Sequence, residues 1–175
     1  GTVWVDDVSV LPVTEEHLQP ANLITNGDFD AFTNNWTDLP EASHLAADAE
    51  VKQLKGSASL RVDLKGLDKA FVMQWLKGIM PNTTYRLDGY VRTKDVEGNV
   101  FLTVMAENST RMNKAWVSTE KVTGTSDWRK LSLQIKTAED TDTLAVRFEY
   151  RPAKEGVAAS AGTAWVDNIT LTKIE

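Results

Sequence analysis

The chain has 175 residues, of which 19 are Lys or Arg and 25 are Asp or Glu, so its formal net charge is −6. Apolar residues make up 42% of it, which excludes a disordered chain, and the acidic balance argues against a nucleic-acid partner. With no Cys, only two His and no apolar run long enough to span a membrane, we expect no disulfides, no zinc-thiolate site and no membrane partner.

A repeat of ten residues indicates how the chain is organised. Residues 1–10 match residues 162–171 with five identities and five conservative replacements, at an offset of 161 residues. Such a period suits a whole domain rather than a solenoid unit. We therefore predict that residues 1–13 are the terminal strand of a preceding related module, residues 14–21 a linker, and residues 22–175 a complete module. A chance similarity between two strands is the alternative.

In chain order, the apolar residues indicate strands rather than helices. Most of the apolar segments alternate with polar residues at a period of two, which is typical of strands with one buried face. Turn residues such as Asn26-Gly27 and Gly98-Asn99 separate them, and a brief helical turn near residues 41–49 is the one helical candidate. The pattern predicts an all-β sandwich. The predicted strands are 57–64, 85–92, 100–106, 131–135 and 144–149.

Five short motifs follow one another along the chain. They are N-L-I-T-N-G-D-F-D (22–30) with Trp36 after it, K-G-S-A-S-L-R-V (55–62), P-N-T-T-Y-R-L (81–87), G-T-S-D-W (124–128) and G-T-A-W-V-D-N (162–168). In this order they resemble the motifs of the carbohydrate-binding modules grouped as families 4, 9, 16 and 22. The resemblance spans nearly all of the predicted module.

The resemblance implies a jelly-roll β-sandwich of two antiparallel sheets. It also implies a structural calcium ion and non-catalytic binding of a polysaccharide or oligosaccharide. Such modules often stand in series beside a glycoside hydrolase or a polysaccharide lyase, so it implies neighbouring modules in the same polypeptide and a secreted or cell-surface protein.

Three carboxylates are candidates for the metal site. Asp28 and Asp30 belong to the first motif and Asp167 to the last. Oxygen ligands without His or Cys favour Ca²⁺ over a transition metal. The resemblance implies an ion between the first and last strands, helped by backbone oxygens of residues 55–57. The alternative is that Asp28 and Asp30 are solvated turn residues and Asp167 an edge-strand charge.

A surface that binds sugar needs flat aromatic rings against C–H faces and polar side chains at hydroxyls. Alternation directs Tyr90 outward on one strand, and Arg147 and Glu149 outward on another. Trp116 lies in a polar stretch away from the five motifs and is a candidate platform. An ordinary cross-strand ion pair is the alternative for Arg147 and Glu149.

The resemblance adds further candidates to this set. Phe71 and Glu149 match by position residues that contact sugar in family 22 relatives, and Gln74 falls near a polar residue that often joins them. Trp36 matches a tryptophan that contacts ligand in family 16 relatives. Core positions are the alternatives for Phe71 and Trp36.

The remaining tryptophans are less informative. Trp75 could face either side of its strand, because residues 71–76 are apolar on both parities. Trp128 and Trp165 fall in framework motifs, so we expect them in the core.

Two other functions compete with glycan binding. A structural spacer of the same fold would bury Phe71, Tyr90 and Trp116, whereas a binding module exposes one of them beside a groove. An enzyme is disfavoured: some carboxylate pair always exists among 25 acidic residues, while His17 lies in the predicted linker and His44 in a loop.

Overall fold

The computed structural model describes residues 21–53, 56–108, 110 and 112–174. Apart from one 3₁₀ turn at Ala42–His44, the regular secondary structure of these residues consists of β-strands. No helix within this described part has the length and apolarity of a membrane-spanning segment. The strands are β1 (Leu45–Asp48), β2 (Ser59–Asp63), β3 (Ala70–Lys77), β4 (Thr84–Glu107), β5 (Asn113–Ser118), β6 (Val122–Lys136), β7 (Thr143–Pro152) and β8 (Thr163–Lys173).

One antiparallel sheet curls into two layers because the long strand β4 takes part in both. The first part of β4 pairs with β6 on one side and β8 on the other, and β8 continues to β2 and β1. From Gly98 onward, β4 pairs with β7 and β5, and β7 pairs with β3. The first layer is therefore β1-β2-β8-β4-β6, and the second layer is β3-β7-β4-β5.

The bend of β4 lies between the two halves of that strand. The pairing with β6 shifts register between Thr93 and Val96 and again between Val96 and Val100. At Gly98 the backbone has a φ of 139°, and a Cβ there would lie 2.4 Å from the carbonyl oxygen of Arg151. Only glycine fits this conformation and this close approach, which accounts for the turn residues that the sequence places here.

A single apolar core fills the space between the layers. In β7 the side chains of Leu144, Val146, Phe148 and Tyr150 are fully buried in it. The intervening residues of β7 must point to the opposite, outer side, because successive side chains of a strand alternate. The predicted two-layered all-β sandwich is confirmed.

The start of the described chain lies against β8. Asn22 pairs with Thr172, and the Ile169 amide donates to the carbonyl of Gly27 at 2.8 Å. A Cβ at Gly27 would lie only 2.0 Å from the carbonyl oxygen of Ile169, so this contact requires glycine. The predicted strand 1–13 and nearly all of the predicted linker 14–21 lie outside the described residues.

Two local predictions change in detail. The strand expected at 57–64 is Ser59–Asp63. The helical turn expected near residues 41–49 shrinks to three residues, because Leu45–Asp48 pairs with β2 as an edge strand.

Candidate functional site

The outer face of the second layer presents side chains in rows that cross the strands. Residues of β3, β5 and β7 on the other parity pack into or against the core, so these rows face away from it. The register defines three rows: Phe71–Glu149–Phe101, Met73–Arg147–Thr103–Ser118 and Trp75–Ala145–Met105–Trp116. We call these residues the outer face.

A small apolar cluster, separate from the main core, forms the floor of the outer face. It consists of Met73, Met105 and Ala145, all at most 4% exposed. Two indole rings remain accessible at the sides of this floor, with Trp75 37% and Trp116 49% exposed. The outer face therefore offers flat apolar surface to a ligand, which a merely solvated sheet face would not.

The guanidinium of Arg147 lies at the centre of the outer face. Its Cζ is 5.2 Å from the ring centroid of Phe71 and 5.7 Å from that of Trp116. Its Nε lies 3.0 Å from the sulfur of Met73, and its Nη1 is 3.5 Å from a carboxylate oxygen of Glu149. Contacts on several sides hold this planar group in place before any ligand arrives.

Glu149 is the buried acid of the outer face. Its side chain is 1% exposed and pairs with two cations, Arg147 at 3.5 Å and Arg151 at 3.3 Å. Arg151 also lies over Phe71, with Cζ 4.8 Å from the ring centroid. A carboxylate removed from water requires such pairing, so Glu149 orients both guanidinium groups.

Two cavities meet at Trp75. One, of about 660 Å³, continues the outer face past the third row and is lined by Trp75, Glu107, Asn108 and Asp142 among others. The other, of about 460 Å³, lies toward Gln74, Met80 and Lys173 and also includes Trp75 in its wall. Polar side chains thus stand beside an exposed ring at this end of the face.

Four of the sequence-predicted sugar-contacting residues come together here. Phe71, Trp116, Arg147 and Glu149 occupy adjacent positions of the outer face, and their mutual contacts connect all four. The cross-strand ion pair between Arg147 and Glu149 is present, as the alternative reading expected, but it lies within this aromatic group.

Two other predicted residues do not reach the outer face. Gln74 is 4% exposed, and its side-chain amide both accepts from the Thr25 amide and donates to the Thr25 carbonyl, each at 2.9 Å. Trp36 is 4% exposed, stacks on Phe29 at 5.1 Å, and donates its indole N–H to the Asn26 carbonyl. The placement of both at a sugar surface is corrected: each anchors the loop that precedes β1.

Tyr90 belongs to the other layer. It pairs with Lys130 of β6 and Asp167 of β8 in the first half of β4. Since the outer face is built from the second half of β4, Tyr90 cannot contact a ligand bound there together with Trp116.

The two tryptophans expected in the core differ. Trp165 is buried, and its indole N–H donates to Asp48 at 2.9 Å while Arg92 lies over its ring. Trp128 is only partly buried on β6, so its expected core position is corrected.

Trp75 is the ring that sequence reasoning did not place. The uniformly apolar run 71–76 hides its orientation, because both parities look buried. Its pairing with Ala145 on β7, whose own parity is clear from the sequence, is the signal that orients it. The sequence also did not identify Met73, Met105 and the buried Phe101, because each belongs to the face through register. Arg151 continues the period of two from Arg147 and Glu149 but lies beyond the predicted strand 144–149.

The three predicted metal-binding carboxylates form a loose group around the first motif. Asp167 is 3% exposed and accepts from the amides of Gln53 and Asn168 at 2.9 and 2.7 Å. Burial, followed by the nearby negative charges of Asp28 and Asp30, raises the pKa of Asp167. The buried Oε1 of Gln53 has no hydrogen-bond partner within the part of the chain that the structure describes.

Asp30 is already engaged with the neighbouring turn. Its Oδ1 accepts from the amide of Ser57 at 2.6 Å and the hydroxyl of Ser57 at 2.8 Å, and these bonds lower its pKa. The turn thus presents amide N–H groups to Asp30. Within residues 21–53, 56–108, 110 and 112–174, no three His, Cys, Asp or Glu side chains stand close enough to hold a metal by themselves.

Comparison with known sequences gives one clear family match. The family model described as "Carbohydrate binding domain" (CBM_4_9) matches residues 21–155, most of the chain. No curated protein sequence matches significantly.

Solved structures share the fold at low sequence identity. A module titled "Family 16 Carbohydrate Binding Module-2" has a TM-score of 0.65 and 23% identity, over 88% of this chain and 100% of that one. The CBM22-1–GH10 modules of a Clostridium thermocellum endo-1,4-β-D-xylanase, complexed with xylohexaose, give 0.61 and 15%, over 89% and 29%. The enzymatically active domain of tailspike protein 4 of bacteriophage CBA120 gives 0.67 and 13%, over 87% of this chain but only 21% of that chain.

Proposed function

Because the chain belongs to the carbohydrate binding domain family, and is thus a non-catalytic carbohydrate-binding module, we propose that the outer face of the second layer is its glycan-binding surface. The supporting observation is the group formed by Phe71, Arg147, Trp116 and the buried Glu149. The rings provide apolar area for the C–H faces of sugars, and the oriented guanidinium provides hydrogen-bond donors for hydroxyls.

The exposure of the aromatic rings distinguishes a glycan-binding module from a structural spacer of the same fold. An indole held half exposed above a buried apolar floor leaves apolar area in water, which is unfavourable unless a ligand covers it. A spacer of the same fold gains nothing from this arrangement. Trp116 is 49% exposed beside Arg147, and a cavity adjoins the same face at Trp75. These features favour a surface that a ligand covers.

We further propose that the module holds an attached polysaccharide-degrading enzyme or surface protein on its substrate, outside the cell. The xylanase among the similar structures carries a module of this fold beside its catalytic one. The repeat of residues 1–10 at 162–171 is consistent with neighbouring modules in the same polypeptide. Tandem modules would raise the weak affinity of each through effective concentration.

Retention of the isolated chain in gels that contain a polysaccharide tests the binding proposal. We expect slower migration with at least one of xylan, β-glucan, mannan, galactan or an acidic glycan, because a surface built from aromatic rings and guanidinium groups fits pyranose chains. Unchanged migration with every polysaccharide would contradict it.

We also propose that Asp28, Asp30 and Asp167 hold a structural calcium ion, with Gln53 as a further oxygen donor. Three carboxylates lie near each other, and Gln53, whose backbone amide donates to Asp167, has a buried side-chain oxygen without a partner among the described residues. Carboxylate and amide oxygens are the ligands that Ca²⁺ prefers. Burial raises the pKa of Asp167 most, and repulsion from Asp28 and Asp30 raises it further; a divalent cation would relieve that repulsion.

Calcium is therefore expected to stabilise the fold at neutral pH. If the affinity resembles that of extracellular modules, about 10 mM Ca²⁺ adds about 1.4–2.7 kcal/mol to the free energy of unfolding relative to EGTA, or about 3–10 °C in Tm. Thermal unfolding in calcium and in EGTA measures this, with Asp167→Asn as the variant that loses the response.

The pH dependence in EGTA follows from the sign of the shift. Because the folded pKa of Asp167 lies above its unfolded value of 3.8, its contribution to stability is full below that pH and is lost as pH rises through the folded pKa. The stability of the wild type relative to Asp167→Asn should therefore fall with rising pH. An equal Tm in calcium and EGTA at pH 7 would contradict the calcium proposal.

A further inference from the structure

The outer edge of β3 is only partly covered in the described part of the chain. β3 ends the second layer, with β7 on its inner side. On its other side Met73 pairs with Thr37, and residues 75–77 have no strand beside them among the described residues. The backbone N–H and C=O groups of such an edge can pair with a further extended segment.

The cavity of about 460 Å³ lies along this free edge, at the side of the two layers. Its walls come from β3 and from the first layer, where Leu23, Tyr85 and Lys173 line it. Leu23 and Met80 are 37% and 52% exposed, so the wall leaves apolar area in water. A segment with an apolar side chain would remove that area from water.

Two cations stand at the rim of the cavity. Lys77 and Lys173 both line it, and its described wall contains no acidic residue. Neither lysine forms an ion pair with a carboxylate of the described residues. The Nζ of Lys173 instead lies 3.7 Å from the sulfur of Met80. The rim is therefore positively charged and favours an acidic occupant.

The described chain begins directly beside this cavity. Asn22 pairs with Thr172, and the Leu23 amide donates to the Leu171 carbonyl at 2.8 Å. Lys173, the next residue of β8, contacts Met80 across the cavity wall. The residues that precede Asn22 are thus tethered within reach of both the rim and the free edge of β3.

These preceding residues carry charges opposite to those of the rim. Residues 14–20 read T-E-E-H-L-Q-P, with Glu15 and Glu16 and no Lys or Arg. Leu18 supplies an apolar side chain, and Pro20 favours an extended conformation of the residue before it. The segment matches a cavity that is apolar in its walls and cationic at its rim.

We propose that residues 14–20 bind in this cavity, along the free edge of β3. Leu18 packs against Met80, and the two acids of the segment pair with the two lysines of the rim. The linker is then part of the module rather than a free tether. The inference does not depend on glycan binding, because none of these residues belongs to the outer face.

Docking would fix the direction in which residues 1–13 leave the module. In a polypeptide with neighbouring modules, a linker held in one direction sets the spacing between them. That spacing determines the effective concentration of one module on the polysaccharide that the other binds.

Cysteine cross-linking of the full chain tests the docking, because the chain has no Cys and two introduced thiols can form only one intramolecular disulfide. Leu18→Cys is combined with Met80→Cys in one variant and with Arg86→Cys in the matched control. Arg86 pairs with Thr172, so it lies two strand spacings, about 10 Å, from Asn22. Four extended residues reach about 13 Å, so the control thiol is also accessible to the tethered segment.

We expect the disulfide with Met80→Cys to form at least about tenfold faster than the one with Arg86→Cys, because docking raises the effective concentration of the two thiols. Non-reducing gels and mass spectrometry measure the rates, and Tm values show that each variant is folded. Equal rates for the two pairs would overturn the inference. Disulfides formed only between chains would also overturn it, since they would indicate contact with a second copy.

Proteolysis of cysteine-free variants gives a second measurement. Thermolysin cleaves before leucine, so the peptide bond 17–18 reports whether the segment is accessible. Lys77→Glu combined with Lys173→Glu should speed this cleavage at least about fivefold, because two exposed ion pairs become repulsions. Adding Glu15→Lys and Glu16→Lys to that variant should restore the wild-type rate.

The matched control for this second measurement is Lys65→Glu combined with Lys94→Glu. It makes the same change of charge at two exposed lysines outside the cavity wall, so cleavage should proceed at the wild-type rate. Equal cleavage rates in the rim variant and this control would contradict the docking. Neither measurement uses a polysaccharide, so failure of this inference is distinguishable from failure of the glycan-binding proposal.

Discussion

Replacing Trp116 with alanine is expected to reduce affinity for the retained polysaccharide by about 1–3 kcal/mol, roughly 5- to 150-fold, as for other aromatic anchors of binding surfaces. The ring is 49% exposed, so its removal deletes apolar area that a sugar would cover. It also frees one side of the Arg147 guanidinium, which lies 5.7 Å from the ring centroid. Affinity gels and calorimetry with the polysaccharide measure the loss.

The stability of the same variant should change little. A half-exposed side chain on β5 contributes less to the core than an interior residue, so the free energy of unfolding should fall by less than about 1 kcal/mol. Trp128→Ala on the first layer should keep wild-type affinity. Equal affinities of Trp116→Ala and the wild type would reject the outer face as the binding surface.

Glu149→Ala is expected to destabilise the fold by about 2–4 kcal/mol and also to weaken glycan binding at least about fivefold. The carboxylate is 1% exposed and pairs with Arg147 and Arg151. Its removal leaves Arg147, whose side chain is only 17% exposed, without its acidic partner near two rings. Urea unfolding gives the stability, and calorimetry gives the affinity.

Two variants bracket this expectation. Glu149→Gln keeps the shape and one acceptor oxygen, so it should lose less stability than Glu149→Ala. Glu120→Ala removes the acid of an exposed pair with Arg129, with side chains 58% and 44% exposed, and should cost at most about 1 kcal/mol. If Glu149→Ala and Glu120→Ala had similar free energies of unfolding, the burial of Glu149 would not contribute to stability.

Much of the fold is readable from the sequence because strands with one buried face alternate strictly. In β7, Leu144, Val146 and Phe148 fill the core, so Arg147 and Glu149 point outward as predicted. The continuity of β4 through both layers was not predicted. The turn predicted at Gly98-Asn99 marks where β4 bends, but nothing local shows that one continuous strand serves two layers, since that depends on pairing with β6, β7 and β8.

The candidate site was predictable only in part. Trp116 stood out as an aromatic ring in a polar stretch, whereas Trp75 lay in a run that is apolar on both sides and needed the register with β7. Gln74 and Trp36 match ligand-contacting residues by position. Their side chains instead bond to backbone groups of Thr25 and Asn26, and motif spacing does not reveal such contacts. Contacts between segments far apart in the chain decide such roles.

The most direct measurement for the central claim is a two-dimensional NMR titration of the tryptophan indole N–H resonances with the retained polysaccharide or its hexasaccharide. We predict that the signals of Trp75 and Trp116 shift, while those of Trp36, Trp128 and Trp165 stay in place. Shifts confined to Trp128, or unmoved signals of Trp75 and Trp116 at saturation, would contradict it.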